Sequence, residues 1–332
     1  MNPYSGANFI EFLYLFVMRC GKFLIGKLPY HSLVSDEIQI VVLAGIGVIA
    51  SIVGTFLVVR KTTMLANALS HTVLLGIVIS YLIFFQRGLP HALYIDIKTM
   101  LMSATIAAVI TSFLTEFFHK AFQLRQDVSI GLVFTMLFAL SITLVTIFSR
   151  NAHIGVEMIM GNVDALHLHD IKIIYSALGI IGMIILAFFR QMYMTTFDAT
   201  FSSSLGISSK YFHYLTVIIT SMVIMCAFRC VGFVLVLALL VGPPLIARQL
   251  VHRLSRIIYT SASLSIVFAI CTVGLSRHIL SVMKTPLSTS GIMITLILCT
   301  YFVSSLVYKC VSVWNKAPSK HMIPENQEES IC

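Results

Sequence analysis

Long apolar blocks, joined by short polar stretches, run through most of the chain. They fall near 38–59, 62–85, 99–118, 128–149, 171–189, 211–228, 230–247, 257–276 and 288–308. Each has about the 20 residues that an α-helix needs to cross roughly 30 Å of hydrocarbon. None shows the period-2 alternation of a barrel strand. In lipid every backbone polar group must be satisfied internally, and without a barrel that leaves helices. The pattern predicts an all-α, polytopic transmembrane helical bundle of about nine spans, within a range of eight to ten.

The segment 9–28 is apolar but carries Glu11, Arg19, Lys22 and Lys27. It is expected either to lie in the membrane interface or to form a further span, and the cost of burying those charges favours the interface. It lacks a small-residue cleavage site, so a removable signal peptide is not expected. The organisation predicted is an N-terminal extension over 1–37, a membrane domain over 38–313 and a polar tail over 314–332. That tail is read as mobile, cytoplasmic and without function.

Composition agrees with this division. Hydrophobic residues make up 58% of the chain and charged residues 11%, against about a quarter charged in a soluble domain. The net charge of +9 would suggest nucleic acid on a soluble protein. Here it reads as a topology signal: the predicted solvent is membrane lipid and no nucleic-acid partner is expected. If the Arg60-Lys61 loop is cytoplasmic, the loops 119–127, 190–210 and 248–256 and the C-terminus share its side. Those regions hold twelve Lys and Arg residues against seven in the opposite loops, which agrees with the positive-inside rule. Seven Cys are present, and Cys20, Cys226, Cys230, Cys271 and Cys299 lie in apolar segments. They read as small apolar filler and form no disulfide framework.

Four stretches carry candidate chemistry. The second span begins Met64-Leu65-Ala66-Asn67-Ala68-Leu69-Ser70-His71. Asn67 and His71 are four apart and share a helix face. His71 lies roughly 13 Å from Thr62 along the axis, near the bilayer midplane. An intramembrane His is a functional candidate by default and imidazole is a common transition-metal ligand, although a packing His remains an equal reading. The outer loop 150–170 carries His153, His167 and His169 beside Glu157, Asp164 and Asp170. That is a metal-attracting surface or a plain solvated loop, since no spacing there matches a closed site. Asp198 can cap, and Gly206 can terminate, a short helix before Ile207. Pro243 and Pro244 are expected to kink or break the span in which they fall. The one near miss to a phosphate-binding loop, Gly21 to Leu28, has Leu28 where Ser or Thr is required. An ATP-driven process would therefore need its ATPase from another chain.

Taken in order, these stretches resemble the permeases of the ABC-3 family of ATP-binding-cassette importers. Ala66-Asn67-Ala68-Leu69-Ser70-His71-Thr72 after Arg60-Lys61 is similar to the family's Gly-Asp-Ala-Leu-Ser-His-Ala after its Arg-rich turn. Met158-Ile159-Met160-Gly161 resembles its Leu-Phe-Gly motif. Asp198 to Leu205-Gly206-Ile207 resembles its coupling loop, and Gly232 to Arg248 its Gly-x-x-Leu-Val-x-Ala-Leu-Leu-Val-x-Pro-Ala run. Thr285-Pro286 to Ser290-Gly291 resembles the stretch before its last span. The matches cover about residues 40–308.

The resemblance implies the fold of the type II-like importers that carry metals and vitamin B12, in a bacterial inner membrane. It also implies a division of labour. Two permease chains form the pathway, cytoplasmic ATPases dock on the coupling loops, and an extracytoplasmic binding protein delivers zinc, manganese or iron. No cofactor is held permanently; the metal is cargo. The family's Asp and His of the second span, its transit site, correspond to Asn67 and His71. Asn offers a neutral carbonyl oxygen where the family has a carboxylate, a weaker ligand for a divalent cation. A paralogous partner that keeps its Asp would restore the charge. The competing classes lack their signatures. An ion-gradient transporter wants carboxylates within its spans, and a membrane enzyme wants a motif such as His-Glu-x-x-His.

Overall fold

The computed structural model describes residues 4, 8–24, 34–86, 97–148, 163–285 and 287–316. Within them the chain forms α1 (Phe9–Leu24), α2 (Ser35–Val59), α3 (Thr63–Gln86), α4 (Ile97–Ala121) and α5 (Gln126–Phe148). A single 3-10 turn at Val163–Ala165 precedes α6 (Leu168–Phe197), α7 (Ala199–Ser204), α8 (Ser209–Val231) and α9 (Phe233–Leu250). Then come α10 (Leu254–Met283) and α11 (Thr289–Lys316). No strand occurs among the described residues. Eight of these helices are long and apolar enough to cross a membrane. The 24-residue α3 occupies the second expected position.

α2 is the centre of the bundle. Its apolar residues cover every face, as a helix with no solvent side requires, and 78% of it is buried against 11% of α11. It packs on α10, α9, α6, α8 and α3. Small residues allow these approaches, as is usual where lipid removes the hydrophobic drive between helices. A Cβ added at Gly47 would lie 2.8 Å from Ser265 Cβ of α10, and one at Gly45 would lie 3.0 Å from Ile174 of α6. The tightest crossing is at Gly54, where a Cβ would lie 1.7 Å from the Leu240 carbonyl oxygen of α9.

That crossing explains the proline pair. Pro244 has no N–H for the carbonyl four residues back, so Leu240 O is left without its helical donor. The Gly54 Cα–H bond is aimed at this oxygen, a weak but recurrent helix-helix contact. The expected break is not seen: α9 runs unbroken from Phe233 to Leu250 with Pro243 and Pro244 both inside it and buried. Gly232, at φ 79° and ψ 163°, is the single residue between α8 and α9.

Charges sit at the two ends of the bundle. At one end Asp36 of α2 pairs with Arg277 of α10. Glu37 accepts from the Tyr4 hydroxyl at 2.7 Å and pairs with Arg19 of α1. The Arg19–Glu37 pair ties α1 to α2, and Phe9 and Phe12, lying over Gly274, hold it on α10. α1 has 16 residues, about 24 Å at 1.5 Å per residue, short of a full crossing. At the opposite end the Arg60 guanidinium donates to Thr195 and Thr196 of α6, and Arg248 donates to Val58 O. The six described cysteines are free thiols. Gly21 to Leu24 form the last turn of α1 and follow no strand. Residues 25–28 of that near miss lie outside the described residues, as do 317–332 of the expected tail; Trp314 to Lys316, assigned to that tail, are helical in α11.

The glycine crossing is testable. Gly54→Ala forces α2 and α9 apart and should destabilise by at least the 1–3 kcal/mol typical of overpacking. Gly179→Ala, in α6 with open space around it, should be neutral or mildly stabilising. Melting of the detergent-solubilised variants separates the two.

Candidate functional site

α7 forms because its ends are closed by local chemistry. The Asp198 carboxylate accepts from the backbone N–H groups of Phe201 and Thr200, both at 2.9 Å. The Phe201 amide, and after it Thr200, hold the Asp198 carboxyl below its usual range. The cap is therefore intact at neutral pH and is lost only as the pH falls through that lowered value. At the other end Gly206 N–H donates to Ser203 O at 3.1 Å and Ile207 N–H to Ser202 O at 3.0 Å. That pair is a Schellman closure, with Gly206 at φ 77° supplying the left-handed residue. Ser202 is fully buried, whereas Phe197, Phe201 and Leu205 are all more than half exposed. The result is a one-turn helix, closed at both ends, that carries an apolar strip on the Arg60 end of the bundle. The cap and the glycine are legible in sequence. The strip is not, because these spacings do not tell which side of α7 faces the bundle.

His71 projects from α3 into a group of aromatic rings. Its ring centroid lies 5.0 Å from Phe134 and 4.9 Å from Phe138 of α5, and 5.1 Å from Phe233 of α9. Phe134 and Phe138 are one turn apart and stacked on each other, at 19° between planes. Three phenyl rings orient an imidazole by edge and face contacts, but offer a metal no electron pair. His71 is half-buried and Asn67, one turn earlier, is exposed. Among the described residues there is no group of three or more His, Cys, Asp or Glu placed to hold a metal ion. The Phe134-Phe138 repeat was a readable signal of a helix face; that it closes on His71 was not.

In the loop 150–170, His153, Glu157 and the Met158–Gly161 motif lie outside the described residues. Asp170 accepts the His167 backbone N–H at 2.9 Å, which starts α6. Asp164 accepts the Thr289 hydroxyl at 2.6 Å, which joins the 3-10 turn to α11. His167 is exposed, and His169 lies in the first turn of α6. Asp164 and Asp170, the described carboxylates of the expected metal-attracting surface, thus have structural hydrogen bonds. Carboxylates described within the long helices stand at their ends: Asp36 and Glu37, Glu116, Asp127 and Asp170. Glu116 is taken up by Lys120 and by the Tyr214 hydroxyl.

Comparison with known proteins adds the following. The model of the ABC 3 transport family matches residues 36–309. A probable metal transport system membrane protein of Chlamydia trachomatis is 38% identical over 314 residues, 93% of this chain and 95% of that one. The manganese transport system membrane protein MntD of Bacillus subtilis is 31% identical over 230 residues, 65% of this chain and 75% of that one. Among solved structures, PsaBC from Streptococcus pneumoniae in complex with Fab superposes with a TM-score of 0.70 at 21% identity. It covers 89% of this chain and all of that chain, which shows a shared fold.

Two substitutions test the closure of α7. Asp198→Ala should speed hydrogen exchange at the Thr200 and Phe201 amides, whereas Asp198→Asn, which keeps an acceptor, should not. Gly206→Ala should loosen the turn by on the order of 1 kcal/mol, the cost of a left-handed Ala.

Proposed function

Because the chain belongs to the ABC 3 transport family, we propose that it is the permease subunit of an importer for a divalent transition metal, with ATP hydrolysed by a separate cytoplasmic subunit. The geometry that supports this best is α7. A short helix closed at both ends, held to the bundle by buried Ser202 and exposing Phe197, Phe201 and Leu205, suits a groove on a partner. Asp198, Leu205, Gly206 and Ile207 keep it rigid enough to pass on the partner's motion. On this reading the Arg60 end is cytoplasmic in a bacterial inner membrane. The C-terminus lies on that side, since Ser304 of α11 bonds Gln249 at the end of α9. The Asp36–Arg277 end then faces the metal-delivering protein, with His167 and His169 on the approach. α1, short and amphipathic, lies along that outer interface.

The cargo is zinc, manganese or iron, and the names of the manganese-system relatives favour manganese. His71 is the transit ligand contributed by this chain. With phenyl rings as its ring neighbours and Asn67 as the polar group beside it, it supplies one strong donor. A divalent ion in passage needs more, so the remaining ligands come from a second permease across the pathway. Asn67 favours a paralogous partner that carries a carboxylate, since a homodimer would present only neutral donors at this level. Pro243 and Pro244 act here by shaping the α2–α9 crossing.

Metal uptake into reconstituted vesicles is the decisive measurement. Uptake should require ATP and the ATPase subunit; uptake driven by an ion gradient alone would remove the reading. His71→Ala should abolish uptake while melting temperature and helicity stay within error of the parent. Subunit identification of the active complex should find a second permease species; full activity from this chain alone would exclude the heterodimer.

A further inference from the structure

A cavity of about 460 Å³ opens at the Arg60 end of the bundle, bounded by α3, α4, α5, α6 and α8. None of the steps above uses it. Its size is that of a small-ligand site, and its lining mixes apolar side chains with hydroxyls, two cations and one carboxylate. Arg60 and Lys210 both face it. The Arg60 guanidinium is half-buried and donates to Thr195 Oγ1 at 2.7 Å and Thr196 Oγ1 at 3.2 Å. Those hydroxyls are neutral acceptors whose own protons go to backbone carbonyls of α6. The ion pairs among the described residues are Arg19–Glu37, Lys120–Glu116 and Arg277–Asp36, so Arg60 has no carboxylate. Glu116, the acidic side chain in the lining, bonds Lys120 and Tyr214 and also lies in the field of Lys210. Burial lowers the Arg60 guanidinium from its ordinary value, the mark of a charge without a counter-charge.

The backbone adds to this field. Thr62 stands just before α3, Gln126 opens α5 and Ser209 opens α8, and all three line the cavity. Three helices thus begin in the lining and bring their positive dipole ends close to it. Hydroxyls of Ser112 and Thr115 complete the wall. A buried cation in such surroundings is costly unless an anion joins it, and guanidinium with converging N–H donors suits a tetrahedral oxyanion.

We propose that this cavity binds a phosphoryl anion, supplied by the headgroup of an anionic phospholipid of the cytoplasmic leaflet. The lipid source rests on the orientation proposed above; the phosphoryl chemistry does not. Basic pockets between helices at headgroup depth are where such lipids are held. The same stretch of α4 exposes Phe113 and Phe117, apolar surface for the acyl chains. Thr195 and Thr196, the Arg60 acceptors, stand just before Asp198, so an occupied cavity stiffens the end of α6 from which α7 hangs.

The test uses the full chain purified in detergent and is independent of transport. Phosphatidylglycerol, phosphatidylcholine and inorganic phosphate are each titrated, with retained adducts read by native mass spectrometry and melting temperature read in parallel. Selective retention of phosphatidylglycerol is expected. Arg60→Gln and Lys210→Gln should each weaken it by about tenfold, the scale of one charge-assisted hydrogen bond. Arg253→Gln, an exposed cation outside the cavity, should leave it unchanged. Lys210→Gln keeps the test open should the Arg60 variant fold poorly. If inorganic phosphate instead shifts the melting temperature, competes with lipid and loses this effect in Lys210→Gln, the phosphoryl site stands and its lipid source falls. Equal retention of the two lipids with no phosphate effect overturns the proposal, as does equal loss in Arg253→Gln. So does an anion effect that appears only when an acidic protein partner is present.

Discussion

The rest of the structure depends on how closely α2 can be approached. A helix buried on every side must give each neighbour a place to cross, and Gly45, Gly47 and Gly54 turn toward α6, α10 and α9 in turn. The Gly54 crossing is the most demanding, because the atom it meets is a backbone carbonyl and cannot swing aside. That carbonyl is free of its own helix only because Pro244 lacks an N–H. Glycine on one helix and proline on another are thus two halves of a single contact. With α2 fixed, its ends place Asp36 and Glu37 against Arg277 and Arg19 at one pole. At the other they place Arg60 against α6.

Between the poles the polar groups are quiet. Thr55, Thr111, Thr115, Thr216 and Thr220 each return their hydroxyl proton to a carbonyl one turn back. This satisfies a donor in lipid without committing it to a neighbour. His71 differs, held among rings that cannot ligate. A permease that carried a full ligand set in one chain would bind its ion too well to release it. Under the proposed function, a partial set on each of two chains would make the site exist only when the chains face each other, which suits passage better than storage.

The outward face of the bundle follows the same economy. α4, α5, α6 and α11 leave Phe, Leu, Ile and Met side chains exposed along their lengths. In water such patches would mark aggregation or a partner, and in a bilayer they are the solvated surface. The ion pairs stand at the ends, and at the Arg60 end the α7 turn and the cavity beside it stand within a few residues of each other along the chain.

The apolar block lengths by themselves determined the helical class and the approximate span positions, because hydrocarbon thickness sets a length and leaves the backbone no alternative to helix. The α7 turn was equally legible, since a capping Asp and a left-handed Gly act on amides within a few residues of themselves. Sequence also marked Asn67 and His71, through the cost of a polar side chain at midplane depth. Contacts between distant segments were not legible. Nothing local says that Gly54 meets Leu240, so the prolines read as a kink or break and their part in this crossing does not show. Nothing local brings Phe134, Phe138 and Phe233 around His71, or bonds Arg60 to two threonines of α6. Those choices belong to tertiary packing, where which residues face each other is decided by how helices cross, and a one-dimensional pattern does not carry a crossing angle.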